Sequence, residues 1–214
     1  IDKQVQRTKS RPLASGIINV QRSLLYVVIL CLIAFLILIQ FNNLTITLGM
    51  CSMVLAFSYP FMKRITYWPQ LFLGLTFNWG IIMAWTAMNN TISTEIILLY
   101  TSAIFWTLGY DTIYGIQDIV DDEIIGMKST SIKFKDNPKF FVSTCYLISF
   151  LVILYLFQNY LGKNYFTFFL LIYIVSLVIQ IFVFDKNSPN KCLAAFKLNN
   201  FSGLIFLTSI FFIK

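Results

Sequence analysis

The sequence predicts an all-α integral membrane protein, a multi-helix transmembrane bundle, and three observations predict it. Hydrophobic residues fill 58% of the 214 positions and aromatic residues 17%, against 12% charged, for a mean hydropathy of +0.76. A soluble domain of that composition would leave far too much apolar surface in water. The apolar residues are gathered into runs long enough to cross a hydrocarbon core of about 30 Å as helices. The lysines and arginines fall in the short segments between the runs, as they do where topology is set by positive charge.

A single domain, 1–214, is expected. It opens with a polar, basic stretch, "IDKQVQRTKSRPLASG", which lacks the apolar centre of a signal peptide. Residues 1–22 are expected to form a basic segment on the cytoplasmic side. Seven apolar segments follow, at 23–41, 44–62, 69–88, 95–117, 138–158, 165–184 and 200–213. The first reads "SLLYVVILCLIAFLILIQF", with no charge at all. Each must be helical, because a chain in lipid has no water to satisfy its backbone polar groups. Pro60, Pro69, Pro138 and Pro189 are expected at segment ends or in loops. Residues 109–139 are expected to be a cytoplasmic loop region, and the last segment is short.

Assigning loops to alternate faces places only Lys163 and Lys214 on one side. The other 14 of the 16 basic residues fall on the opposite side. That face is expected to be cytoplasmic, or the matrix side in a mitochondrion. Eight of the nine acidic residues share it, Glu95 being the exception, so the functional surface is one polar mouth at one membrane face. The net charge of +7 is thereby explained by topology, and no nucleic-acid partner is expected. The four cysteines form no CxxC pair, and the chain contains no histidine. Disulfide frameworks, zinc sites and His-based acid/base chemistry are not supported. A transporter would place ionisable groups near the midplane, in an inverted repeat. Here the charges cluster at helix ends.

The stretch "GYDTIYGIQDIVDDEIIGMKSTSIKF", residues 109–134, carries Asp111, Asp118, Asp121, Asp122 and Glu123 at the end of an apolar run. On one continuous helix, Asp118 and Asp122 each lie about 20° from Asp111, while Asp121 points about 80° away. Three stacked carboxylates repel one another unless something positive lies between them. A hard, all-oxygen set favours Mg²⁺, which keeps positions open for phosphate oxygens. Lys63, Arg64, Lys128, Arg7 and Arg11 are suited to a diphosphate. The alternative is a solvated acidic cap. Lys63 and Arg64 also read as ordinary positive-inside anchors. Asn78, within an apolar run, is either substrate-facing or makes a helix–helix hydrogen bond.

"YDTIYGIQDIVDDEIIGMKST" resembles the second aspartate motif, DxxYxxxDxxxD, of the UbiA-type intramembrane prenyltransferases, carried here by Asp111, Tyr114, Asp118 and Asp122. "VQRTKSRPLASG", "YPFMKRITYWPQLFLGLTFNWGIIMAW" and "CLAAFKLNNFSGLIFL" resemble other family segments in the same order. The resemblance covers the whole chain and is closest to the 4-hydroxybenzoate polyprenyltransferases of ubiquinone synthesis. The family's first motif, NDxxDxxxD, is represented only by its last aspartate, Asp2. The family fold has nine helices, and the seven segments here match all but the first two. The resemblance therefore implies that the 214 residues alone are inactive or nearly so.

It further implies that a lipid-embedded enzyme transfers a polyprenyl group from polyprenyl diphosphate to the ring carbon ortho to the hydroxyl of 4-hydroxybenzoate. Mg²⁺ would be held by Asp118 and Asp122, with Asp111 and Asp2 as further ligands. Lys63, Arg64 and Lys128 would hold diphosphate, and Arg7 or Arg11 the aromatic carboxylate or the diphosphate. Tyr114 would stabilise a cation through its ring or simply pack, and Trp79, Trp85 and Trp106 would line an isoprenoid groove or pack in the core. Other acceptors of the superfamily, a naphthoate, homogentisate or haem, remain the alternative. The abundance of Ile, Phe, Asn and Lys reads as an AT-rich genome and favours a bacterial inner membrane over a mitochondrial one.

Overall fold

A computed structural model describes residues 8–213, and seven of its helical segments are long and apolar enough to span a membrane. Helix α1, Val20–Leu38, begins where the Asn19 side chain accepts from the Arg22 N–H at 2.8 Å. It has no buried residue, as a helix apolar on every side requires if it faces lipid. α2, Asn43–Ile65, is capped by Asn42, whose Nδ2 also donates to the Thr86 carbonyl at 2.7 Å. Thr45 Oγ1 donates to Thr86 Oγ1 at 3.0 Å beside it. These bonds pin the start of α2 to the end of the next span, at Thr86.

The third span consists of two helices, α3, Pro69–Phe77, and α4, Trp79–Asn89, broken at Asn78. α5, Thr94–Gly115, is capped by Ser93 and is the most buried helix of the bundle. A 3₁₀ turn, Ile116–Asp118, and two short helices, α6, Ile119–Ile124, and α7, Thr130–Lys133, follow it. α8, Pro138–Leu156, α9, Tyr165–Val183, and α10, Pro189–Phe211, complete the chain.

α5 is central: it packs along α8 and against α3 and α10, while α9 packs on α10. Lipid supplies no hydrophobic drive between helices, so close approach and hydrogen bonds must hold the bundle. At Gly109 an added Cβ would stand 2.5 Å from the Tyr146 ring. At Gly74 it would stand 3.1 Å from the Ile104 carbonyl oxygen. Tyr146 donates to Gln180 Oε1 at 2.6 Å, and Gln180 Nε2 donates to Ser202 Oγ at 2.9 Å. That buried chain of polar groups ties α8, α9 and α10 together within the apolar core.

Four expectations from the sequence are corrected. Pro60 lies inside α2 rather than at its end. The helix continues past it to Ile65, because one lost donor costs less than leaving several backbone groups unmade at the membrane face. The last span starts at Pro189, not near 200. Its first turns carry polar residues that hydropathy reads as loop. Residues 109–115 belong to α5 rather than to a loop region, and the helix through 111–122 is not continuous: it narrows to 3₁₀ at Ile116–Asp118.

The basic loops gather at one end of the bundle. The Lys128 N–H donates to the Lys63 carbonyl at 2.7 Å, and Lys186 Nζ to the Asp136 carbonyl at 3.2 Å. Outside the spans, Asp185 lies in the α9–α10 loop. The Asn187 N–H and Lys191 hold its carboxyl below its ordinary pKa.

Candidate active site

At that basic end a cavity of about 380 Å³ opens between α2, α3 and the end of α5. Its polar lining is Arg11, Tyr59, Lys63, Gln70, Asp111, Tyr114 and Asp118, and Met127 closes it from the following loop. A larger hollow of about 640 Å³ between α1 and α2 has no charged side chain. Of these two, the first combines carboxylates and cations in one space.

The local sequence explains how the carboxylates reach it. Asp111 lies on α5 one turn before Gly115. The 3₁₀ turn advances by about 120° per residue rather than 100°, and Asp118 ends it at φ −104°, ψ 0°. Asp118 is 8% exposed and Asp122 is 3% exposed, whereas Asp121 is half-buried and Glu123 exposed. Burial thus sets Asp118 and Asp122 apart from Asp121 and Glu123, and of the three carboxylates expected on one face Asp111 and Asp118 line the cavity whereas Asp122 does not. Lys63 Nζ stands 3.3 Å from Asp122 Oδ2. Burying a carboxylate is expensive unless it is paired, and Lys63, from the last turn of α2, supplies the pair. Glu123 instead meets Lys135 Nζ at 2.6 Å in the exposed loop, which raises the Lys135 pKa.

The segment after α6 is folded back onto this floor. Gly126 turns it with φ +70°, a conformation that costs glycine nothing. The Met127 N–H then donates to the Asp122 carbonyl at 2.8 Å. Ser129, Thr130 and Ser131 follow, all buried. The Thr130 N–H donates to Gln70 Oε1 at 2.9 Å, and Ser131 Oγ to the Thr112 carbonyl at 2.7 Å. Thr112 Oγ1 donates to the Leu108 carbonyl at 2.6 Å and lies 2.7 Å from Thr130 Oγ1. Its one hydrogen is thereby used, so Thr130 donates in that pair.

Not every residue expected at the site reaches it. Arg64 is exposed and outside the cavity lining. Lys128 donates to the Ile65 carbonyl at 3.3 Å and lies over the Tyr67 ring, so it caps the end of α2 beside the cavity. Asn78 Nδ2 donates to the Gly74 carbonyl at 2.9 Å, the Ala103 carbonyl at 3.3 Å and Thr107 Oγ1 at 2.8 Å. Of its two readings, the helix–helix bond is the one observed. Tyr114 lines the cavity and packs on Phe196, with ring centroids 4.4 Å apart. Trp106 donates to Asn199 Oδ1 and Trp79 to the Leu48 carbonyl, which marks both as bundle anchors. Trp85 is half-buried, and its Nε1 has no partner among the described residues. Asp2 and Arg7 lie outside the described residues. Sequence reasoning missed Gln70, Tyr59 and Met127. A usable signal existed for Gln70, a polar residue directly after Pro69 at the head of an apolar run on the basic side.

Among the described residues no three acidic, Cys or His groups stand together as a ready-made metal site. Asp111 and Asp118 nevertheless face one cavity. Mg²⁺ needs only one or two carboxylates where water and phosphate oxygens complete its shell, so this oxygen-only donor set fits it.

The UbiA prenyltransferase family model matches residues 1–208. This chain belongs to the UbiA prenyltransferase family. A 4-hydroxybenzoate geranyltransferase of Lithospermum erythrorhizon is 42% identical over 98% of this chain and 69% of its own length. A mitochondrial 4-hydroxybenzoate polyprenyltransferase of Bos taurus is 41% identical over 98% of this chain and 57% of its own. A 4-hydroxybenzoate octaprenyltransferase of Vibrio atlanticus is 36% identical over 99% and 74%. The apo structure of a UbiA homolog from Aeropyrum pernix superposes with a TM-score of 0.82 at 22% identity, covering 98% of this chain and 78% of that one. The bundle described above is therefore the fold of a UbiA-family protein.

Proposed function

We propose that this protein transfers a polyprenyl group from polyprenyl diphosphate to 4-hydroxybenzoate, forming the carbon–carbon bond ortho to the hydroxyl, in ubiquinone synthesis. One observation carries the proposal: two carboxylates, Asp111 and Asp118, share one cavity with a lysine and an arginine at the basic end of a chain whose relatives are named for this acceptor. The allylic C–O bond breaks and the diphosphate leaves with the electron pair. The ring carbon attacks the allylic carbon and then gives up its proton. No protein nucleophile is required.

Asp111, Asp118 and Asp122 are the residues that would hold Mg²⁺. When bound, it neutralises charge on the leaving diphosphate. Lys63 and Arg11 attract the anionic substrates, and Lys63 also holds Asp122 in place. Tyr114, whose ring packs on Phe196, would stabilise developing positive charge through its face. The basic end is assigned to the cytoplasmic side of a bacterial inner membrane, so both water-soluble groups enter there while the isoprenoid tail stays in lipid.

The test is product formation in membranes carrying the full-length protein, supplied with Mg²⁺, an allylic diphosphate and 4-hydroxybenzoate, and read by mass spectrometry. Full activity in excess EDTA would sink the metal role. Prenylation of a naphthoate or homogentisate in preference to 4-hydroxybenzoate would replace the acceptor.

A further inference from the structure

We propose that Gln70 is a substrate-binding residue, a neutral donor that holds an oxyanion of a substrate through its side-chain Nε2. The inference rests on the function proposed above. It starts from burial: Gln70 is 3% exposed, at the start of α3, and it lines the cavity that contains Asp111, Asp118, Lys63 and Arg11. An amide in such a place must spend both of its ends. The oxygen end is spent, because Oε1 accepts the Thr130 N–H at 2.9 Å.

That bond also fixes the orientation of the amide. A backbone N–H can only donate, so the oxygen must face Thr130 and the nitrogen must face the other way. Nε2 stands 3.2 Å from the point where a Cβ on Gly115 would sit, close against α5 between Asp111 and Asp118. Among the described residues no oxygen accepts from it. Two N–H donors are therefore held at the cavity wall by a rigid, buried anchor. Donors accept no metal and repel no anion, so the complementary ligand is an acceptor: an oxygen of the diphosphate or of the aromatic carboxylate. Lys63 and Arg11 on the same wall favour an anion in either case.

The Gln70 amide adds a fixed, directional donor without adding charge to that of Lys63 and Arg11. Removing it should weaken binding of the group it contacts without disturbing the other. Three variants separate this from a merely structural role. Gln70→Glu keeps an oxygen for Thr130 and loses the donors. Gln70→Met loses both. Ser131→Ala breaks the neighbouring bond to the Thr112 carbonyl and leaves Gln70 intact.

The experiment is titration of the purified full-length protein in detergent with two probes, inorganic diphosphate plus Mg²⁺ and 4-hydroxybenzoate, with the melting temperature recorded for each variant. A lost hydrogen bond to a charged group corresponds to roughly 10-fold to 100-fold in affinity. The expected result is that Gln70→Glu and Gln70→Met raise Kd for one probe by about 10-fold or more. Gln70→Glu adds a buried carboxylate beside Asp111 and Asp118 and should melt lower than wild type, so Gln70→Met supplies the charge-free comparison, and Ser131→Ala should melt lower with Kd unchanged. Which probe responds identifies the oxyanion. Unchanged Kd for both probes in Gln70→Glu overturns the proposal. So does a loss that Ser131→Ala reproduces, or failure of the wild type to bind either probe. If the probes bind as expected but no prenylated 4-hydroxybenzoate forms, the function reading falls and Gln70 keeps its role. If Gln70→Glu turns over with wild-type KM values, the reverse holds.

Discussion

Gly115→Ala isolates the packing that holds the floor of the cavity. A Cβ at residue 115 would stand 2.5 Å from Ser131 Oγ, 3.2 Å from Gln70 Nε2 and 3.4 Å from Ser131 Cβ. The last is ordinary contact. The first must open by roughly 0.7 Å or more, and Ser131 Oγ cannot swing aside freely because it donates to the Thr112 carbonyl at 2.7 Å in a fully buried site. Breaking that bond leaves a buried donor and acceptor unmade, at about 1–3 kcal/mol. Keeping it forces the backbone apart, at about 1–3 kcal/mol for overpacking. Against either cost, alanine gains up to about 1 kcal/mol of helix propensity over glycine. The net expectation is a loss of about 1–2 kcal/mol, or a melting temperature lower by about 2–8 °C for a chain of this size.

The assay is thermal unfolding in detergent of wild type, Gly115→Ala, Ser131→Ala and the double variant. Removing the Ser131 hydroxyl takes away the atom that a new Cβ would strike. The double variant should therefore be more stable than the sum of the single effects predicts, a coupling of about 1 kcal/mol of the kind seen between residues in contact. A Gly115→Ala protein that melts above wild type would show that helix propensity dominates at this position. The close approach of α5 to the 129–131 segment would then not be a constraint.

Three further outcomes are expected. Asp118→Asn and Asp122→Asn each lower turnover by about 10–100-fold or more, and Asp121→Asn much less, in steady-state assays of membranes; an order that puts Asp121 first contradicts the burial pattern. Lys63→Met costs more stability and activity than Arg64→Met, because the first strands the buried Asp122 carboxylate; equal melting temperatures for the two variants refute this. In a cysteine-free background, a membrane-impermeant thiol reagent applied to spheroplasts labels a cysteine at Asn90 and spares one at Asn137, and the opposite pattern reverses the topology.

What the sequence could reveal follows from which forces are local. A bilayer demands about 20 apolar residues per helix, so the seven spans are legible from composition and their boundaries are nearly right. Departures occur where polar residues are bought by tertiary partners. The start of α10 at Pro189 was obscured by Asn190, Lys191, Lys197, Asn199 and Asn200, yet Asn199 is occupied by the Trp106 indole. The break at Asn78 was signalled only by one polar residue in "LTFNWG", and its three hydrogen bonds run to α3 and α5. Neither partner is visible from within the segment.

The site divides in the same way. Charge spacing on one helix singled out Asp111, Asp118 and Asp122 as candidates because carboxylates near lipid are costly enough to need a reason; Asp111 and Asp118 line the cavity, and Asp122 is paired with Lys63. The spacing did not separate Lys63 from Arg64, adjacent residues in one basic pair. The separation comes from α2 itself: in its last turn Lys63 meets Asp122 while Arg64 is exposed. Lys128 looked equally suited to an anion, but the end of α2 presents a carbonyl, Ile65, that its ammonium caps. A cation's role thus depends on which acceptor the fold puts within reach, and a cluster of basic letters contains more cations than the cavity can use. Gln70 shows the converse. It carries no charge to draw attention, and only the fold reveals that the oxygen end of its amide is anchored and that the residue lines the cavity.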